Sequence, residues 1–455
     1  MSSPLIAPAD TPNAPPTLTH AQMLNEFCAC QTLYPEQLRT HLEADASLAG
    51  LTAVLAQTHP NLFSPTAVFL DSTELADISA TVTALDGLMR SAAWQRYAMR
   101  DVAKEMQTDF GPTGAFMGYD FHLSDTGAKL IEINTNAGGA FLNAVLTDAH
   151  YACCDAMQLL VGSRKSATLT QSEFTAMFNN EWRLQRGDAH LTSIVITDDE
   201  PDSQFLAPEF QLAKLMLERA GFRVAVGDAS EFSLIEGRLY HPALSDVPID
   251  MVYNRLTDFM LDEPRHSVLR AAYLHNATVL TPNPHNYALH ANKSHLATLS
   301  DSQALQDMHI SPDVLARILH AVPRTVPVSE QSADTLWAER RNWFFKPVVG
   351  FGSRAAYRGD KLTRRVWDSI LQGDYVAQRI VTPSERLVTV DGESKKLKVD
   401  IRAYAYQGQV QLLAARTWQG QTTNFRTQGG GFSPVLILTD TGSDFAASRD
   451  ILAKC

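Results

Sequence analysis

The 455-residue sequence predicts an α/β protein of more than one domain: a helical N-terminal region, a parallel Rossmann-like unit in the middle, and a long-stranded α+β unit at the end. Three observations carry that expectation. Between about 19 and 97 apolar residues recur at helical spacing, as in Met23, Phe27 and Cys30, or Ile78, Val82, Leu85, Leu88 and Met89. Residues 192–226 read strand, helix, strand, the order of a parallel unit that binds ligands at its strand ends. Long strand-like runs occupy 375–381, 396–406 and 410–418.

Taken in order, residues 1–18 are rich in Pro and Ala and read as a disordered tail. The helical region, 19–97, is interrupted at Pro35, Pro60 and Pro65. Within 98–165, Asp120-Phe-His-Leu and Lys129-Leu-Ile-Glu-Ile-Asn134 read as strands joined by the tight turn Ser124-Asp-Thr-Gly127. The loop Thr135–Gly139 and a helix carrying Ala144, Val145 and Tyr151 follow. Residues 190–280 form the Rossmann-like unit, with strands at 192–197, 222–226 and 249–253 and an amphipathic helix from Glu209 to Ala220 stopped by Gly221. Residues 281–455 open with helices and pass through a strand–loop–strand segment at 344–357 before the long strands.

Composition narrows the function. With 38 basic against 50 acidic residues the net charge is -12, which disfavours a nucleic-acid partner, since such binding is carried by basic surfaces. No apolar run approaches the ~20 residues that span a bilayer, so no membrane partner is expected. The N-terminus has neither the basic nor the apolar segment of a signal peptide. Cys28 and Cys30 are two apart, Cys153 and Cys154 adjacent, and Cys455 terminal; this sparse, odd set reads as reduced thiols in the cytoplasm.

Three constellations carry chemistry. Glu132 and Asn134 are two apart on a strand and share a face, Ile131 and Ile133 take the other, and Asp120 on the partner strand can join the first. Two carboxylates and an amide oxygen suit Mg²⁺ beside nucleotide phosphates, or else a solvated acidic hairpin face. Lys346 ends the hydrophobic run Trp343-Phe-Phe-Lys and precedes the flexible Gly350-Phe-Gly352, an arrangement able to grip phosphates or merely to turn the chain. Lys293 is a second candidate, or a solvated helix lysine. Arg402 and Arg416 sit on a hairpin turning at Gln407-Gly-Gln, ahead of Asn424, Arg426 and Gly429-Gly-Gly431, and could clamp a phosphoryl group or a carboxylate.

Together these motifs resemble the ATP-grasp superfamily, over roughly residues 115–435. Asp400-Ile-Arg402, Ala415-Arg416 and Asn424–Gly431 are similar to the closing strands of the glutamate-adding and glutathione-forming ligases. Gly118-Tyr-Asp120 with Glu132-Ile-Asn134 resembles their magnesium motif, and Lys293 with Lys346-Pro-x-x-Gly-x-Gly their nucleotide lysines and phosphate loop. In most of that family the magnesium strand follows the Asp-x-Arg strand; here it precedes it by more than 260 residues. The resemblance therefore implies a circularly permuted ATP-grasp like the eukaryotic-type glutathione synthetases, with the Rossmann-like unit as substrate domain. Those enzymes carry a metal-binding glutamate in the phosphate loop where this chain has Val348, Val349 and Gly350, so Asp120 is expected to replace it.

The resemblance implies an ATP-dependent carboxylate–amine ligase acting through an acyl phosphate on an amino acid or small peptide and an amine acceptor. A phosphotransferase making a stable ester, or a non-catalytic ATP-binding module, are the alternatives. Expected cofactors are ATP and two Mg²⁺ ions, with Mn²⁺ as a substitute, held by Asp120, Glu132 and Asn134. Lys293, Lys346, Gly350 and Gly352 would hold phosphates. The hinge Gln378, Arg379 and Ile380 would read adenine and Glu385 the ribose, while Arg402 and Arg416 would stabilise the transferred phosphoryl. By position, Arg255, Asn136 and Asn424 are candidates for substrate contact, and the helical region is where a homodimer face would form.

Overall fold

The computed structural model describes residues 18–43, 51–149, 161, 167–244, 247–350, 352 and 355–438. Residues 1–17 of the expected tail, Tyr151, Cys153, Cys154, Cys455 and loop position Phe351 lie outside these. In chain order the strands begin with β1 (Val68–Asp71), β2 (Met117–Ser124) and β3 (Gly127–Asn134). The middle of the chain holds β4 (Ser193–Asp198), β5 (Arg223–Asp228), the small hairpin β6 (Ser233–Ile235) and β7 (Arg238–Tyr240), β8 (Met251–Asn254) and β9 (Val279–Thr281). Next come β10 (Thr325–Pro327), β11 (Trp343–Pro347), β12 (Tyr357–Arg358) and β13 (Tyr375–Arg379). Four longer strands close the described chain: β14 (Ser384–Val390), β15 (Glu393–Tyr406), β16 (Gln409–Trp418) and β17 (Gly431–Leu438).

These strands build three main sheets. The largest has seven strands in the order β1-β17-β16-β15-β2-β3, with β14 also paired to β15. The early hairpin β2–β3 is thus hydrogen-bonded, antiparallel, to a strand nearly 280 residues later, with Arg402 facing Asp120. A second sheet, β10-β13-β11-β12, is antiparallel and covers one end of the first. The third, β5-β4-β8-β9, is wholly parallel, and Ile194, Val195 and Ile196 on its β4 strand are fully buried. Burial on both faces explains why β4 reads as a continuous apolar run.

The region 19–97 is mostly helical, as expected, with one strand that the sequence reading did not include. It does contain helices, including Ser72–Met89, whose Ile78, Val82, Leu85, Leu88 and Met89 pack against Tyr119, Phe121, Ile133, Val399 and Ile401 of the large sheet. It also contributes β1, the parallel edge partner of β17. Four residues are too few to break a helical periodicity visibly, so this strand was not legible, and the region is part of the large sheet's layer.

Arg386 on β14 fastens the helix His20–Phe27 to that layer. Its side chain is fully buried and donates to the carbonyls of Ala67, Leu24 and Cys28. Arg386→Leu would remove this donor from all three; the Leu24 carbonyl keeps the Cys28 N–H, while those of Ala67 and Cys28 lose the guanidinium, at about 1–3 kcal/mol for each. Denaturant unfolding should therefore show a loss of roughly 3 kcal/mol or more, against less than about 0.5 kcal/mol for Thr389→Ala at an exposed position of the same strand.

Candidate active site

Two irregularities in pairing place the chemistry. From its turn, where Ser124 faces Gly127, a regular β2–β3 ladder would set Asp120 against Ile131 and turn Glu132 toward the core beside Tyr119. One extra residue on β3 shifts the register so that Asp120 faces Glu132 and Gly118 faces Asn134. The expectation that Ile131 and Ile133 share a face fails for this reason: Ile133 is buried in the core, whereas the bulged Ile131 lines the same cleft as Glu132. The Ile131 carbonyl also becomes available, and Lys346 Nζ donates to it at 2.7 Å.

A second shift between Tyr404 and Ala405 does the same for β16. Without it Arg416 would pair with Val399 on the core face; with it Arg416 stands opposite Asp400. The result is a buried ladder of alternating charge. Arg402 grips Asp120 with Nε and Nη2, both at 2.6 Å. Arg416 reaches the same carboxylate with Nη2 at 2.9 Å and donates from Nε to Asp400 at 2.6 Å. Burial alone would raise the Asp120 pKa, but the two guanidiniums overcome it and hold the carboxyl well below the usual range. Both Asp120 oxygens are thus spent on arginines. This differs from its expected role as a metal ligand and leaves Glu132 and Asn134 as the metal candidates of the hairpin. The Asn134 amide nitrogen lies 3.2 Å from Asp120 and 3.3 Å from Glu132, which turns its oxygen away from both carboxylates.

The cleft lies between the large sheet and the β10–β13 sheet, about 870 Å³ counted to its open mouth. Asp120, Glu132, Lys293, Lys346, Gly350, Gly352, Gln378, Arg379, Ile380 and Arg416 all line it. Asp400 of the Asp400-Ile-Arg402 motif lines it as well, as do His122, Trp418 and Thr423, which were not singled out from the sequence. Lys293 Nζ donates to the Gly350 carbonyl at 2.6 Å, tying the glycine loop down. Lys346 is 5% exposed; burial first and the nearby Lys293 charge second push its pKa down to about 8, with Glu132 opposing. Since a lysine only donates, the oxygen of the Gln378 amide must face Lys346, at 2.8 Å, and its buried nitrogen has no partner among the described residues.

Other candidates fall elsewhere. The Arg379 and Ile380 N–H groups, expected to read a base, donate to the Arg324 and Asn342 carbonyls, because β13 is flanked by backbone on both sides. Glu385 is exposed and lines a wider neighbouring cavity that shares Ile380 and Val381 with the cleft. Arg255 is buried, donating to the Ala137 carbonyl and the Tyr253 hydroxyl, with Glu209 at 3.9 Å. Asn136 donates to the Leu256 carbonyl, and Asn424 organises its own loop by donating to Gln419 and Thr422 and accepting from Arg426. All three clamp loops in this structure and none lines the cleft. Asp199, Glu263 and His266 gather at the Rossmann strand ends, but Asp258 and Asp199 already occupy both His266 nitrogens.

The strand order and this cleft make an α/β fold of the ATP-grasp type with a Rossmann-like unit. A glutathione synthetase-like effector from Globodera pallida shares it, with a TM-score of 0.53 at 11% identity over 89% of this chain and 96% of that one. A putative gamma-glutamylcysteine synthetase from Methylobacillus flagellatus aligns more loosely, with a TM-score of 0.45 at 12% identity over 83% and 92%. So does the ATP-grasp ligase PsnB complexed with Mg and ADP, at a TM-score of 0.31 and 14% identity over 58% and 99%. No protein-family model and no curated protein matches the chain.

Two outcomes follow from this geometry. Asp120→Asn would leave the buried Arg402 guanidinium without a carboxylate and take one of two from Arg416, which keeps Asp400, and should lower stability by roughly 3–5 kcal/mol, whereas Glu132→Gln on the cleft wall should stay within about 1 kcal/mol; thermal or denaturant unfolding separates them. A polyanion seated against Lys346 restores its proton. Its affinity should be full below pH 8 and fall as pH rises above about 8, with proton uptake on binding in that window. Calorimetry with ATP in two buffers of different ionisation enthalpy reads both; binding without proton exchange at pH 9 would contradict the placement.

Proposed function

We propose that the protein is an ATP-dependent carboxylate–amine ligase acting on an amino acid or small peptide through an acyl phosphate. The observation that carries this reading is the convergence of Lys293, Lys346, Glu132 and Arg416 on one cleft from four distant segments. Such a set neutralises and aligns phosphates, which is most of what phosphoryl transfer asks of a protein. Lys346 and Lys293 would hold the nucleotide phosphates. Glu132, a hard oxygen donor on the cleft wall, fits Mg²⁺, and Asn134 could join it only with its amide turned over to present the oxygen; the ion, when bound, would neutralise phosphate charge. Arg416 would face the transferred group, with Arg402 acting behind it through Asp120.

In the first step a substrate carboxylate oxygen attacks the γ-phosphorus, the bond to the β–γ bridging oxygen breaks, and ADP leaves with that electron pair. In the second the amine attacks the acyl carbon. The C–N bond forms, the C–O bond to phosphate breaks, the amine loses a proton, and inorganic phosphate leaves. The Gly350–Gly352 loop, tied to Lys293, would help shield the labile acyl phosphate from water.

A screen of ADP release with amino acids and dipeptides, each with and without a second amine, should find a pair that stimulates release only together. Hydroxylamine should then trap a hydroxamate, which a phosphate ester would not form. Folded Glu132→Ala should lose turnover by at least about 100-fold. A normal rate in that variant, or phosphate ester in place of hydroxamate, would overturn the reading.

A further inference from the structure

We propose that Asp400 is a positioning residue that makes Arg416 available to the cleft only while the 419–430 loop is closed beside it. The inference rests on the ligase reading for what the cleft binds, but the latch itself stands on the geometry around Asp400.

Asp400 is 3% exposed and has one partner for each oxygen. One oxygen accepts from Arg416 Nε at 2.6 Å and the other from the Thr423 hydroxyl at 2.5 Å. All three residues line the cleft. Arg416 is therefore fixed at two nitrogens, Nε on Asp400 and Nη2 on Asp120, leaving Nη1 without a protein partner among the described residues. Two anchored nitrogens set the plane of a guanidinium, and the third is presented to whatever anion occupies the cleft.

The loop that carries Thr423 holds together as a unit. Asn424 binds Gln419, Thr422, Arg426 and Thr427, and the Gln419 N–H donates to the Thr427 hydroxyl at 2.9 Å. Its outer fastenings include Lys398 to the Gly420 carbonyl, the Ser64 hydroxyl to the Gly429 carbonyl, Gln428 to Asp391, and the Phe425 ring between Phe205 and Phe432. Of these contacts Thr423 alone reaches the charge ladder.

A carboxylate and a guanidinium prefer a two-pronged contact. While Thr423 occupies its second oxygen, Asp400 can give Arg416 only one. With the loop displaced, that oxygen is released and Asp400 can turn to chelate Arg416, drawing it from the cleft. Loop closure and arginine availability are then two readings of one carboxylate, and an anion at Arg416 must favour the closed loop by the amount the closed loop favours the anion.

The test uses the full-length protein with Mg²⁺ and ATP as probe, read by calorimetry and by amide exchange at Gln419, Arg426 and Gly430. Thr423→Val keeps the shape and removes the hydroxyl, while Thr423→Ser keeps the hydroxyl. Thr423→Val should speed exchange in the nucleotide-free loop and weaken ATP by about 3- to 10-fold, the worth of one hydrogen bond. Thr423→Ser should restore both to within about two-fold, and Thr423→Val should add nothing to Asp400→Asn. Unchanged exchange and affinity in Thr423→Val, no rescue by serine, or additive effects would overturn the proposal. If wild type binds no ATP the ligase reading fails, and the comparison of loop exchange in the valine and serine variants still decides the latch.

Discussion

Four charges buried in one sheet face constrain the rest of this structure. Asp400, Arg416, Asp120 and Arg402 alternate in sign across β16, β15 and β2, and each is held by its neighbour. A single unpaired member would be costly in the interior, so strand register, loop position and hairpin placement must all be right together. The hairpin that carries Glu132 comes from the first third of the chain, and its Asp120 is what two arginines of the last third need. Fold and candidate site are consequently hard to separate. The ladder closes the sheet between distant segments, and three of the groups that close it, Asp120, Asp400 and Arg416, also line the cleft.

Much of this was legible in the sequence because it rests on local pattern. Alternation and the tight turn mark the β2–β3 hairpin, continuous apolar runs mark the parallel strands, and Lys346 follows a hydrophobic strand. What was not legible is register. Counting back from either hairpin turn puts Glu132 and Arg416 on the core face. Only the extra residue near Ile131 and the shift beside Tyr404 bring them to the cleft. A bulge leaves no dependable mark in composition, and its effect is to exchange the two faces of a strand.

The same limit explains the residues that fell elsewhere. Arg255, Asn136 and Asn424 are polar residues in or beside loops, the types that contact substrates and equally the types that satisfy loop carbonyls. Here they do the second. Asp120 shows a subtler form of the ambiguity. A carboxylate one strand from Arg402 and two from Arg416 suits a metal or an ion pair, and cross-strand register decides between them. Thr423 escaped notice, and Asp400 was read only as part of the Asp400-Ile-Arg402 motif, because a role that runs through another side chain has no spacing to betray it.

On the ligase reading the cleft between the large sheet and the β10–β13 sheet, and not the wider cavity beside Glu385, receives the phosphates of ATP. A crystal structure with Mg²⁺ and a non-hydrolysable ATP analogue tests it most directly. The account predicts β- and γ-phosphate density between Lys346 and the Glu132–Asn134 face, with Arg416 turned toward the γ-phosphate. Phosphate density in the cavity lined by Glu385 and Lys396, with the cleft free of nucleotide, would contradict it.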